Sequence, residues 1–191
     1  MKILTKDGSL LFEDTHDTLR ETLQNAVNSK VSLRDAKLSN AHRSGADLHG
    51  ADLGGADLSY SCLSGVLLSC ANLSSANLKC TDLRGSNLRV ANLKGATLSY
   101  ALLGGAYLPG TDLSGVNLNG ADLSGAVLAL ASLVGADLSS ADLRGARLNG
   151  ANLEHANLNN ADLNGADLIY SNIRTTDFIS ANSKGAVFSE A

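Results

Sequence analysis

Across residues 31–190 the apolar and polar positions fall into a unit of five, approximately Ala-(Asp/Asn)-Leu-x-Gly, repeated 32 times without insertion or deletion. The third position is Leu in 27 of the 32 units and the first is Ala in 23. A helix needs apolar residues at a period of about 3.6 and a strand at a period of 2, so a strict period of five suits neither and the chain must turn once per unit. Within a unit the first and third residues have the spacing of a short strand, which sends Ala and Leu to one side and the second residue to the other. The fourth and fifth residues then form a corner, where glycine supplies the positive φ of a type II turn.

The glycines also count the corners in one circuit. Gly45, Gly65, Gly85, Gly105, Gly125, Gly145, Gly165 and Gly185 form an unbroken column at a spacing of 20, whereas the column Asn40, Tyr60, Cys80, Tyr100, Gly120, Ser140, Asn160, Ser180 holds one glycine. Four units per coil, with corners of unequal geometry, are therefore expected. The 32 units then make an all-β solenoid of about 8 coils, some 38 Å long at ~4.8 Å per coil.

Residues 1–30 lack the repeat and are predicted to form a separate cap, with the solenoid domain spanning 31–191. Ile3-Leu4 and Leu10-Leu11-Phe12 around Asp7-Gly8 read as a short hairpin. Thr18-x-x-Glu21 is a capping-box signature opening a helix to about Asn28, and Leu19, Leu23, Ala26 and Val27 share one of its faces. That face suits the bare core and unpaired backbone that a solenoid leaves at its terminus. Interior departures gather at the ends: Arg43 replaces Leu in the first coil, and Ile173, Phe178, Ser183 and Phe188 take the four Leu positions of the last.

Runs such as Ala46-Asp47-Leu48-His49-Gly50-Ala51-Asp52-Leu53-Gly54-Gly55 resemble the pentapeptide-repeat family, over about 160 of 191 residues. The resemblance implies a right-handed quadrilateral β-helix with four flat sides, Leu stacked inside and Ala completing the lining. Its handedness comes from the resemblance alone. The resemblance also implies an alternative function, because some members imitate duplex DNA and act on type II topoisomerases such as gyrase, protecting them from quinolones.

Charge weighs against that alternative. Formal net charge is -4 for the chain, of which the repeats contribute -3. B-DNA carries one charge per ~1.7 Å, so a 38 Å imitation needs on the order of twenty negative charges. The topoisomerase-directed members also resemble one another in a C-terminal dimerising helix and, in several, loops between coils, neither of which this repeat contains. Direct nucleic-acid binding is not expected. The first eight residues lack the apolar stretch of a signal peptide, no segment reaches the length of a membrane span, and three cysteines suit a reducing compartment, so the cytoplasm is expected.

The many aspartates do not read as catalytic. Asp and Asn alternate freely at the second position, and an amide cannot replace a carboxylate as general acid or base. Short acceptors there suit hydrogen bonds to the turn backbone, the role expected of Asp52, Asp57, Asp82, Asp112, Asp122, Asp137, Asp142, Asp162 and Asp167. His42, Cys62 and Asp82 share a column, but side chains directed outward in parallel converge poorly on one ion and the column continues with Leu102. Cys70 and Cys80 fall on other sides, so no disulfide is expected. Without a nucleophile elbow or a phosphate-cradling loop, neither enzymatic activity nor a cofactor or metal is expected.

Polarity differs among the four sides. One side collects Leu67, Val90, Tyr107, Pro109, Val127, Leu130, Ile169 and Tyr170, with Cys70, Ala129 and Val187, while the side one quarter-coil later offers only Val134. A contiguous apolar strip marks a protein contact. We therefore expect a non-catalytic interaction scaffold that binds a protein partner or a second copy through this side. Phe178 and Phe188 either plug the open end or meet a second copy there, and Tyr60 and Tyr100, flanking Cys80, form a smaller cluster on another side.

Overall fold

A computed structural model describes residues 1–16, 18–41 and 45–188. Because each unit turns after three residues, pairing between coils shrinks to one bridged residue per unit, at its second position. These bridges are parallel and 20 residues apart: Asp47, Leu67, Asn87, Tyr107, Val127, Arg147, Asp167 and Val187 follow one another as eight rungs. Backbone bonds run both ways around a bridge: at Lys37 and Asp57, Asp57 N–H donates to the Ala36 carbonyl and Leu38 N–H to the Asp57 carbonyl. Continuous strands are consequently few. Among the described residues they are β1 (Lys2–Leu4), β2 (Leu10–Glu13), β3 (Asp167–Leu168) and β4 (Val187–Phe188), with one helix, α1 (Leu19–Asn28).

The first and third positions fill the interior. From Leu33 to Leu168 the described leucines of the third position are buried, and alanines at the first position complete the lining. Threonines that replace Ala bond to backbone, Thr81 Oγ1 donating to the Leu58 carbonyl and Thr111 Oγ1 to the Leu88 carbonyl, whereas the buried Ser86 hydroxyl finds no partner.

The corners correct one expectation. Every described fifth position has φ between 55° and 70°, at Tyr60, Val90, Tyr100 and Leu130 as much as at Gly45 and Gly105. The corners therefore share one left-handed conformation, and the columns differ only in side chain. Glycine is favoured there because a Cβ in this region costs about 1–2 kcal/mol.

Second-position Asp and Asn do what their spacing predicts. Oδ1 of Asp57, Asn72, Asp112 and Asn117 accepts the N–H two residues on, closing the corner. Between coils, Asn72 Nδ2 donates to Asp52 Oδ1 at 2.8 Å and Asn157 Nδ2 to Asp137 Oδ1 at 3.0 Å.

The N-terminal segment joins the first coil through its backbone. β1 and β2 pair antiparallel, Ile3 opposite Phe12. Thr18 caps α1, its Oγ1 accepting from Glu21 N–H and donating to the Glu21 carboxylate. Thr5 bridges Ala36, Lys37 N–H donates to the Leu4 carbonyl, and Arg20 Nη2 reaches the Gly45 carbonyl. Ile3, Leu23 and Ala26 are buried in one cluster with Leu33 and Leu38. Asp14 ties these parts together: Thr22 Oγ1 and Asn25 Nδ2 donate to its carboxylate, which also meets the His16 ring.

At the other end the Phe residues do not seal the coil. Ile173, Phe178, Ala181, Ser183 and Phe188 line a cleft of about 300 Å³, and Phe188 is 40% exposed. Two residues singled out by the sequence, His42 and Arg43, lie outside the described residues, as do residues 189–191.

Candidate interaction surface

The side singled out by apolar residues is built from three columns, one for each outward position. The second-position column is the eight-rung series ending at Val187, and the corner column includes Cys70, Val90, Leu130 and Tyr170. Between them lie fourth-position residues, among them Arg89, Pro109, Ala129, Asn149 and Ile169. Leu67, Val90, Tyr107 and Val187 are exposed, and Leu130 and Tyr170 reach 72% and 82%. Val127, Pro109 and Ile169 are half-buried between their neighbours. Phe178 and Phe188 line the open end, Phe188 next to Val187, the last rung of the strip.

Apolar residues on this side displace groups that the repeat otherwise uses. Leu67, Tyr107, Val127 and Arg147 stand where an Asp or Asn would accept the N–H two residues on, so the turns at Ser69, Ala129 and Asn149 lack that bond among those found. At Tyr107 the donor is removed as well, because Pro109 has no N–H. At the corner, Val90 has φ 57° and Leu130 φ 59°, a region that is a genuine outlier for a β-branched or bulky residue.

Corner side chains lean toward the following coil. A Cβ on Gly150 would stand 2.8 Å from Leu130 Cδ2, and one on Gly110 would stand 3.7 Å from Val90 Cγ2. Glycines one coil later thus leave room for bulky corners.

Charge is arranged differently here from the preceding side. There Arg84 forms a two-pronged bond to Asp82 and Arg144 to Asp142, and these bonds hold both carboxyls below their usual range against the opposing effect of burial. On the apolar side Arg89 and Arg147 form no ion pair among the described residues. Arg147 neighbours Asp167 across adjacent coils, yet they do not approach to within 4 Å. Sorting charged as well as apolar positions by twenty would have found these three residues in the sequence. Leu102 and Ile179, exposed on two other sides, also escaped that reading.

Among the described residues no group of three or more His, Cys, Asp or Glu could hold a metal, Cys62, Cys70 and Cys80 form no disulfide, and no helix is long and apolar enough to cross a membrane. A cleft of about 540 Å³ lies between the end of α1 and the first coils, lined by Val27, Lys30, Ser32, His49 and Asp52. Asp52 is engaged there by Ser32 and Asn72.

Comparison with known proteins places these observations. The family model for pentapeptide repeats matches eight times, from residues 22–55 to 146–182. A crystal structure of a pentapeptide repeat protein from the Arabidopsis thaliana thylakoid lumen is similar at 34% identity and a TM-score of 0.50, covering 51% of this chain and 68% of that one. QnrB1, a plasmid-mediated fluoroquinolone resistance protein, is similar at 23% identity and a TM-score of 0.48, covering 81% and 83%. HetL, a pentapeptide repeat protein involved in heterocyst differentiation regulation from the cyanobacterium Nostoc sp. strain PCC 7120, is similar at 26% identity and a TM-score of 0.27, covering 91% and 98%. No curated protein sequence matches. No enzyme family is indicated by these matches.

Proposed function

We propose that this chain, which belongs to the pentapeptide-repeat family, is a non-catalytic scaffold that engages a protein through its apolar side. The finer fold reading belongs to the same proposal: a right-handed quadrilateral β-helix, with residues 1–30 as a cap and 31–191 as the shaft. A cytoplasmic placement belongs to the proposal too, favoured by three cysteines that suit a reducing compartment. One observation carries the functional reading. Apolar residues on this side occupy positions where the repeat opposes them twice, by a lost turn hydrogen bond at Leu67 and Val127 and by positive φ at Val90 and Leu130. Each lost bond costs about 0.5–1.5 kcal/mol and each left-handed corner about 1–2 kcal/mol. Left-handed corners without glycine recur on the side of Tyr60, Cys80 and Tyr100, but the missing Asx acceptor gathers on this side, at Leu67, Tyr107, Val127, Arg147 and Val187; drift on a tolerant scaffold would not concentrate that loss, and a contact made through the strip offsets it.

The gyrase-directed alternative finds less support. Net charge over the repeats is -3, and the coils run from 45 to 188 without an interrupting loop. The fluoroquinolone resistance relative supplies no argument at its level of likeness.

The test is to replace Tyr107, Val127 and Leu130 together by Ser and compare affinity recovery from host lysate. Recovery is expected to be lost while the circular-dichroism spectrum and melting temperature are kept. Unchanged recovery removes this surface, and inhibition of gyrase supercoiling at micromolar protein would favour the alternative.

A further inference from the structure

We infer that the apolar side docks against the same side of a second copy, with the two shafts antiparallel and the two-fold axis level with Val127. This rests on the preceding reading of that side as an interaction surface. What selects a second copy is the sign and order of its charges. Among the described residues the side carries Asp47, Arg89, Arg147 and Asp167, two of each sign, so it neither attracts a strongly charged ligand nor repels itself. Its two guanidiniums lack the carboxylates that engage Arg84 and Arg144 on the preceding side.

The order of the rungs sets the register. Val127 is the fifth of eight second-position residues, so an axis at its level places the fourth rung on the sixth, the third on the seventh and the second on the eighth. Leu67 then faces Val187 of the second copy. Tyr107 faces Arg147, a cation over an aromatic face. Asn87, with Arg89 beside it, faces Asp167, within the reach of the Arg89 side chain. In the corner column Leu130 meets its own copy and Val90 meets Tyr170. Moving the axis half a coil, to between Tyr107 and Val127, sets Asp167 on Leu67 and Asp47 on Val187, leaving two carboxylates against apolar groups without partners. Parallel shafts would instead lay each second position over a fourth position of the same coil, with Asn87 and not Asp167 opposite Arg89.

The footprint predicts a modest affinity. Seven coils of contact span about 34 Å and one flat side about 10 Å, on the order of 340 Å² per copy in projection, against the ~800 Å² per partner of a standard stable interface. Dimerisation is therefore expected at roughly tens to hundreds of micromolar.

Sedimentation equilibrium on the full chain, up to about 1 mM, tests the pairing. Arg89→Asp and Asp167→Arg are each expected to weaken association about tenfold, since each contact occurs twice across the axis, and the double exchange to restore it to within about threefold. Val127→Cys, with Cys62, Cys70 and Cys80 changed to Ser, is expected to give a covalent dimer on mild oxidation. A monomer at 1 mM overturns the inference, as does a dimer that ignores the charge exchanges or fails to cross-link at position 127. A monomeric chain whose lysate partner is still lost with Tyr107, Val127 and Leu130 sinks this inference alone; unchanged recovery sinks the surface itself.

Discussion

The ring of Tyr100 lies against Gly120 one coil along, so close that a Cβ on the glycine would stand 2.6 Å from Tyr100 Cε1. Gly120 also has φ 65°. Gly105 shares that φ but has no atom within 4 Å of its added Cβ. Gly120→Ala should therefore destabilise by about 1–2 kcal/mol for the backbone conformation, plus the displacement of the ring, and Gly105→Ala by the first part alone. Urea denaturation of both, with Tyr100→Ala added to each, isolates the ring: coupling should appear at Gly120 and not at Gly105.

Restoring what the repeat prefers on the apolar side should stabilise the chain. Val90→Asn places a residue tolerant of positive φ at a corner of φ 57°, and Val127→Asn supplies an acceptor to the Ala129 N–H. Each is expected to raise stability by about 0.5–1 kcal/mol, a shift of roughly 1–4 °C in melting temperature, while weakening association. Unchanged or lowered melting temperatures would mean that these apolar residues carry no folding penalty.

Interior and end leucine positions should differ sharply. Leu118→Ala, at a fully buried site between coils, is expected to cost about 2–5 kcal/mol. Phe188→Ala, at a site already 40% exposed, should cost less than half as much despite the larger side chain. Equal losses in chemical denaturation would show the end coil to be covered.

Acid should loosen the N-terminal segment. Burial opposes the charge on Asp14, but hydrogen bonds from Thr22, His16 and Asn25 prevail and hold its carboxyl well below the usual carboxylate range. A depressed folded-state value means stability that is fully present above the unfolded value near 3.8 and is lost as pH falls below it toward the folded one. Amide exchange in α1 should rise between pH 4 and pH 2, by these values, and Asp14→Asn should flatten that dependence. A variant with an unchanged acid profile would sink the role of Asp14.

Much of this was readable in the repeat because the interior rule is local. Leu at the third position, Ala at the first and an Asx acceptor at the second each act within five residues, and the glycine column from Gly45 to Gly185 exposes the period of 20. The start of α1 was equally plain in Thr18 and Glu21. Other features depend on neighbours distant in sequence. Tyr60, Val90 and Leu130 share one left-handed corner with the glycines because stacked coils impose it, not because their own preferences do. The expectation of unequal corners failed for this reason. The antiparallel seam of Thr5 with Ala36 has no periodicity to announce it, and the lean of Leu130 onto Gly150 joins residues 20 apart. Arg89, Arg147 and Asp167 were overlooked as members of the apolar side because only its apolar residues were sorted.

The seam between β1 and the first coil gives the molecule a direction of assembly. Lys37 N–H and the Ala36 bridge are already engaged from the N-terminal side, whereas among the described residues the N–H groups of Ile173, Phe178 and Ser183 find no further coil. Each coil is therefore a mould for the one synthesised after it. A chain leaving the ribosome N-terminus first would add twenty residues at a time to an edge that is already folded, and would keep a single growing face until its last turn is laid down.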